Sequence, residues 1–391
     1  MEKNIIRNEE MIMRKIVIHG CTGLKNSGDE AILQTIVQQY GREYDITVIS
    51  RNVSYTERMH QGIRVIPDEK YRCREAIKEC DLFVLGGGGL LQDETTIFNV
   101  SVWLKYLKYA KRLGKKVCVY ANSIGPLKLK GNRYLVKKYL SGVDLITLRD
   151  EESALLLKEI GITDKVYVTA DPVFSLEWSE MPKKEEYACM ALRHWFDIIP
   201  FIPVRICSKL HIRSIRNQRN YNKYIHTMAK LAEYINNELG YKIVFVSFLS
   251  GRDDRVAQDI LDIISKTSEN KNELITGEYL TPNGIINVIN HASFLVGMRL
   301  HSIIYAICTG TPMVIIDYSS KVRGMVELNR LSEYSVDINR MDVDSLKNRI
   351  ERMIASEKEY EEILQEQCRI MKEKEKENKR LMDELMKEEI I

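Results

Sequence analysis

The chain has no apolar run long enough to cross a bilayer, which takes about 20 residues as a helix, so a membrane span is not expected. Its eight cysteines form no CxxC pair and no Cys/His cluster with zinc spacing, which excludes a zinc ribbon or a dithiol redox motif. They read as reduced cytosolic thiols. Residues 1–14 are too charged for the apolar core of a secretory signal, and Met11 and Met13 are alternative starts. The net charge is only +3, which argues against a general nucleic-acid binder. No internal repeat is visible. The one biased tract, the Lys/Glu alternation near 372–379, reads as a solvated helix face.

What is present is enough for two cores. A chain of 391 residues, 45% of them apolar, exceeds the size at which a single core stops growing. The apolar runs alternate with helical spacing in two series of similar size, separated by a polar stretch carrying Pro182. We therefore expect an α/β protein made of two Rossmann-like domains facing across a cleft. The first would span 13–174, a linker 175–187 and the second domain 188–340. Charged helices over 341–391 would pack back on the first domain.

The most informative stretch is 296–324. An apolar run ends in Gly297, and Arg299 and His301 follow two residues apart. A helical run over 303–308 closes in Thr309-Gly310-Thr311-Pro312. A second apolar run ends in Asp317, followed by Lys321 and Arg323. This order predicts strand, turn, helix, strand and loop, and the turn after a parallel strand is where such folds place chemistry. One histidine among cations at a helix start suits a small, strongly anionic substrate that needs a proton. The plainer alternative is surface ion pairs for Arg299 and Lys321 and a helix cap for His301.

The first half offers further candidates at the ends of predicted strands. Residues 15–20 read as a buried first strand. Asn26, Ser27, Gly28, Asp29 and Glu30 lead into a helix over 31–40, without the GxGxxG pattern of a dinucleotide site. Asp29 is either an acid favoured by the helix dipole or a group that binds or deprotonates a substrate hydroxyl. A strand over 82–85 runs into Gly86 to Gly89, where Gly87 and Gly88 would allow close backbone approach, or serve only a tight packed turn. Ser123 lies in a polar loop after the strand 116–120. Arg149 follows the strand 145–148 and stands beside three acids, any of which would make it a simple salt bridge. Arg193 follows the strand 187–192.

The sequences Gly297-Met298-Arg299-Leu300-His301-Ser302, Ala306 to Pro312, Asp317-Tyr318 and Lys321 resemble the C-terminal signature of the polysaccharide pyruvyl transferases of the CsaB type. The motif at 26–31, the glycine run with Leu90-Leu91-Gln92-Asp93, the loop 122–126, Arg149 with its following acid and Ser153, and Asp171-Pro172 match the rest in order. The resemblance covers about 14–330 and implies the two-domain arrangement called GT-B. It further implies transfer of a pyruvyl group from phosphoenolpyruvate to two hydroxyls of a cell-surface polysaccharide sugar or its lipid-linked precursor. The product would be a cyclic ketal, with phosphate released. On that basis His301 is the expected acid, with Asp29 also catalytic. Arg299, Lys321 and Arg149 are expected on phosphoenolpyruvate, and Asn26, Gly28, Gly87, Gly88, Ser123 and Arg193 along the cleft. No metal and no cofactor beyond the donor is expected, and no Asp-x-Asp metal motif stands in the cleft loops. A nucleotide-sugar glycosyltransferase and a non-catalytic polysaccharide-binding protein are the alternatives. A cytoplasmic location is expected.

The resemblance fails over 198–223, where no acid interrupts Arg205, Lys209, Arg213, Arg216, Arg219 and Lys223. Steps of four, four and three put the first four on one helix face, beside Ile202, Ile206 and Leu210, with Pro203 suited to a helix start. Weak peripheral contact with an anionic membrane is expected of such a helix. A solvated helix, or cations that grip an acceptor's diphosphate, would read the same way.

Overall fold

The structure is a computed structural model and describes residues 13–94, 96–182, 186–195, 212–265 and 272–387. Two wholly parallel sheets carry the chain. The first contains β1 (Arg14–His19), β2 (Tyr44–Ser50), β3 (Arg64–Pro67), β4 (Leu82–Leu85), β5 (Lys116–Asn122), β6 (Leu145–Leu148) and β7 (Val166–Val168), in the order β3-β2-β1-β4-β5-β6-β7. The second contains β8 (Tyr187–Ala191), β9 (Lys242–Ser247), β10 (Glu273–Thr276), β11 (Phe294–Gly297), β12 (Met313–Asp317) and β13 (Ser335–Asp337), in the order β10-β9-β8-β11-β12-β13. The strands β4, β6, β8, β11 and β12 are buried at every residue. That is why they read as continuous apolar runs and not as alternation: parallel sheets are covered on both faces.

Helices α1 (Ser27–Tyr40), α2 (Val53–Met59), α3 (Lys70–Glu79), α4 (Asn99–Arg112), α5 (Lys130–Leu140) and α6 (Glu151–Glu159) cover the first sheet. The second is covered by α7 (Ile215–Asn237), α8 (Asp253–Ile264), α9 (Pro282–Asn290), α10 (Leu300–Thr309), α11 (Ser320–Leu328) and α12 (Val343–Ala355). Side-chain caps fix several starts, among them Asn26 on the Gly28 N–H, Asp150 on Ser153 and Ser319 on Val322. The strand order reverses between β1 and β4 in one sheet and between β8 and β11 in the other. The crevice at such a switch point is where open α/β sheets receive ligands. The loops after β1, β4, β8 and β11 hold 20–26, 86–94, 192–195 and 298–299.

The two halves are joined by direct bonds. Asn26 forms an antiparallel bridge with Leu249, the Ser27 N–H donates to the Phe248 carbonyl at 2.9 Å, and Lys25 pairs with Glu278. The last helix, α13 (Glu357–Lys387), straps both sheets. Near its start the Tyr360 hydroxyl donates to the Met313 carbonyl at 2.9 Å. Further on Asn378 donates to the Ala170 carbonyl at 3.0 Å, and Lys116 reaches the Leu385 carbonyl at 2.7 Å. The expected return of the C-terminal helices to the first domain thus holds for α13, whereas α12 stays on the second, against α7 and β12.

The predicted helix through Arg205, Lys209, Arg213 and Arg216 needs correction at its described end. Helix α7 starts at Ile215, capped by Ser214. Arg213 precedes it, 2.6 Å from His194 Nε2 and over the Tyr221 ring at 3.6 Å. Arg213 and Arg216 therefore do not continue one helical stripe. Residues 198–211, including Arg205 and Lys209, lie outside the described residues. Among the described residues no helix is long and apolar enough to cross a membrane.

Candidate active site

The α10 start is built by a strand that ends in a residue without a side chain. A Cβ on Gly297 would approach the Ser302 hydroxyl at 3.3 Å, and Arg299 then caps the helix in extended conformation. This aims His301 across the cleft at the first domain. Its Nε2 lies 3.5 Å from Asp171 Oδ2. Its ring also lies against Gly28, where a Cβ would fall 2.0 Å from Nδ1. The glycine is thus required by the close approach of the imidazole.

Asp171 is buried at the junction of the two domains, capping the short 3-10 turn Pro172–Ser175. It forms an ion pair with Arg149, which is buried too. Burial would push the Asp171 carboxyl up, but Arg149 and His301 outweigh it and hold the group well below the usual carboxylate range. Arg149 was expected to pair with an adjacent acid if it were merely structural. Its partner is Asp171, 22 residues on, and Arg149 helps keep that carboxylate ionised beside His301.

Asp29 stands in the first turn of α1, where Asn26 Nδ2 donates to its Oδ2 at 2.5 Å. Burial pushes its carboxyl up to about 6, against the opposing pull of His301. A Cβ on Gly88, whose φ is +102°, would sit 3.1 Å from Asp29 Oδ1. On the next residue, Gly89, a Cβ would come within 2.7 Å of Lys321 Nζ. The glycine run therefore lets Lys321, from the second domain, reach over the first. Burial, helped by the nearby Arg149 charge, lowers the Lys321 ammonium to about 8. Lys321 also lines a cavity of about 490 Å³ that runs between Asp150, Glu152 and the loop 124–130.

His301, Asp29, Arg149 and Lys321 are thus brought to one cleft from both halves of the chain. The other predicted residues are placed differently. Arg299 is not an exposed ion pair and its guanidinium is engaged: Nε and Nη2 donate to the two oxygens of Asp253 at 2.8 and 2.5 Å. Asp253 is buried and also accepts the Leu249 N–H at 2.9 Å. Arg193 donates to the Tyr318 hydroxyl at 2.6 Å and lies over the Tyr318 and Trp195 rings at 4.6 and 5.4 Å. Asn26 caps α1 and bridges the domains. Gly87 packs on α1, its Cβ position 2.8 Å from Ile32. Ser123 donates to Asp150.

Sequence reasoning did not assign roles to Asp171, Asp253 or Asp150. Asp171 had a signal, the Asp-Pro pair at the domain junction. Asp253 had none, since it lies 46 residues from the arginine it holds. Among the described residues no group of three or more His, Cys, Asp or Glu could hold a metal ion.

A family model described as polysaccharide pyruvyl transferase matches residues 26–320. The amylovoran biosynthesis protein AmsJ of Erwinia amylovora is 25% identical over 325 residues, covering 79% of this chain and 73% of that protein. Among solved structures, HepE of Anabaena in complex with UDP-glucose superposes with a TM-score of 0.60 at 13% identity, over 95% of this chain and 99% of that one. The S. aureus MnaA–UDP complex gives 0.59 at 14% identity, over 90% and 91%. A Rickettsia africae glycosyltransferase gives 0.60 at 11%, over 96% and 100%. At these identities the structural likeness is one of fold, and the fold is GT-B-like.

Proposed function

The chain belongs to the polysaccharide pyruvyl transferase family, and from that premise we propose that it transfers the pyruvyl group of phosphoenolpyruvate to two hydroxyls of a polysaccharide sugar, or of its lipid-linked precursor. The product is a cyclic ketal. The observation that carries this reading is the convergence of His301, Asp171, Arg149 and Lys321 in one interdomain cleft.

The donor carries a phosphate and a carboxylate, so it needs cations in a site that excludes water. Lys321 offers an ammonium from one domain. Arg149 offers whatever of its fork Asp171 leaves free from the other. Arg299, clamped on Asp253, supports the α10 start and the second-domain wall. His301 gives a proton to C3 of the enol, and its C2 becomes oxocarbenium-like. The ionised Asp171 is the counter-charge to the protonated ring. A sugar hydroxyl attacks C2 and loses its proton, with Asp29 as acceptor. The C2–O bond to phosphate then breaks, and the second hydroxyl closes the ketal. Of the two hydroxyl protons, one replaces that given to C3 and the other leaves with phosphate.

The glycosyltransferase alternative draws on the UDP bound in the fold neighbours, whose identities of 14% and below carry no activity to this chain. Incubation with phosphoenolpyruvate or UDP-sugars and a panel of acceptors separates the two. Phosphate release with a new ketal methyl signal in the proton NMR spectrum is expected. UDP release without it would overturn the proposal.

A further inference from the structure

Between Glu94 and Asp144 the chain has no acidic residue, yet it carries eleven lysines and arginines. With a net charge of +3 overall, the remainder of the molecule is net acidic. The basic segment folds as α4, the strand β5 and α5, and the two helices lie side by side on one face of the first sheet. Lys111 of α4 donates to the Tyr139 carbonyl of α5 at 3.2 Å, and the Lys108 ammonium lies 5.2 Å from the Tyr139 ring. The helices therefore present their charges together.

Some of these cations are already used: Lys105 is held by Asp68 and Arg133 by Glu159. Among the described residues Arg112, Lys130, Lys137 and Lys138 pair with no carboxylate, and all four are exposed. Large apolar side chains stand in water on the same two helices, where the Lys138 ammonium lies 5.7 Å from the Tyr134 ring and Leu129 adjoins Lys130 in the chain. Ile97 and Phe98, at the start of α4, are 55% and 66% exposed; Leu129 and Tyr134, at the start of α5, are 42% and 60% exposed. The two starts are tied by Asn132, whose Nδ2 donates to the Ile97 carbonyl at 3.2 Å. Both follow the C-terminal ends of their strands, the edge that faces the cleft. The cavity beside Lys321 is lined by Leu127, Lys128, Lys130 and Arg133, so this face and the cleft are continuous.

We propose that the α4–α5 face docks the protein on an anionic lipid bilayer, with Ile97, Phe98, Leu129 and Tyr134 entering the headgroup region. Unpaired cations alone would suit any polyanion. Exposed apolar tips among the cations select a surface that has both negative charge and an apolar interior. Docking in this orientation would bring the cavity mouth to the bilayer, where a lipid-linked acceptor presents its sugar. The face is formed by α4 and α5 in the first half of the chain, whereas the sequence pattern had placed such contact on 198–223.

The test is co-sedimentation with vesicles of phosphatidylcholine containing 30% phosphatidylglycerol, beside pure phosphatidylcholine. No donor or acceptor is present, so the outcome does not depend on the reaction proposed above. Binding to the anionic vesicles is expected, weakened at least tenfold by raising salt from 50 to 500 mM. The triple variant Arg112→Glu, Lys137→Glu, Lys138→Glu should bind at least tenfold more weakly. The pair Ile97→Ser, Phe98→Ser should also weaken it severalfold, with thermal midpoints unchanged for both. A Phe98→Trp variant should shift its emission to the blue on binding. Absence of binding at low salt, unaltered binding in the triple variant, or full binding by Ile97→Ser, Phe98→Ser would each overturn the proposal. The last result, together with equal binding to a soluble anionic polysaccharide, would assign the face to a polyanion instead.

Discussion

Gly28 of the first domain and His301 of the second touch across the cleft so closely that a methyl group on Gly28 would lie 2.0 Å from Nδ1. Gly28 is not among the glycines with positive φ, so alanine fits its backbone, and the nearest atoms its methyl would meet belong to the imidazole. Gly28→Ala is therefore expected to fold normally and to displace the His301 ring. A misplacement of about 1 Å costs roughly a hundredfold in rate. Circular dichroism and steady-state kinetics check both halves, and a Gly28→Ala enzyme with unchanged kcat would show that His301 is not positioned by this contact.

His301→Ala should leave the fold intact and reduce transfer by roughly a hundred- to ten-thousandfold, the usual range for a missing general acid. Asp171→Asn should act on kcat through His301, and should also lower stability. It removes one member of the buried pair with Arg149, and breaking such a pair from one side costs about 3–5 kcal/mol. Urea denaturation and kcat measured on the same preparation test the two effects. Near-normal turnover in His301→Ala would remove the acid role.

Lys321→Ala is expected to raise KM for phosphoenolpyruvate at least tenfold while changing KM for the sugar far less, since the ammonium reaches the glycine run from the far side of the cleft. Initial rates with each substrate varied in turn decide this. A larger effect on the sugar would move Lys321 to the acceptor side.

Much of this arrangement is readable from the chain. The buried strands β4, β11 and β12 are uninterrupted apolar runs, and parallel sheets put loop chemistry at their C-terminal ends, so Gly88, Arg299, His301 and Lys321 stand out. What hides is pairing at a distance. Nothing near Arg299 in sequence announces Asp253, and nothing near Arg149 distinguishes Asp171 from the three acids beside it. The stripe of α13 looks irregular after Met371 because two of its inward positions are polar. Glu375 takes hydrogen bonds from Gln39 and Ser175, and Asn378 one from Thr169 at 2.7 Å. A hydrophobic pattern cannot show a buried face satisfied by partners in another domain. The edge strands β10 and β13 are only 4 and 3 residues long, too short for periodicity to register.

Asp253→Ala should destabilise the second domain, because it leaves the partly buried Arg299 guanidinium without its two acceptors and the Leu249 N–H without one. The expected loss is about 3–5 kcal/mol in chemical denaturation. A loss below about 1 kcal/mol would indicate that Arg299 finds water or another acceptor, and would return it to the list of free donor-binding cations.

The pH dependence follows from two groups shifted in opposite directions. Asp29 is raised to about 6 and Lys321 lowered to about 8. If Asp29 accepts the hydroxyl proton it must be ionised, so kcat/KM rises with pH up to about 6. If Lys321 holds the donor it must be protonated, so kcat/KM falls above about 8. The profile is a bell with its plateau between the two. Stability responds with its own signs. Between about pH 4 and 6 the folded Asp29 keeps a proton that the unfolded chain has released, so its contribution falls as pH rises. Between about pH 8 and 10 the folded Lys321 has lost a proton that the unfolded chain keeps, so its contribution rises with pH. Lys321→Arg should flatten the alkaline limb, because a guanidinium stays charged throughout, and Asp29→Asn should remove the acid limb along with most of the rate. An alkaline limb that survives unchanged in Lys321→Arg would belong to another group.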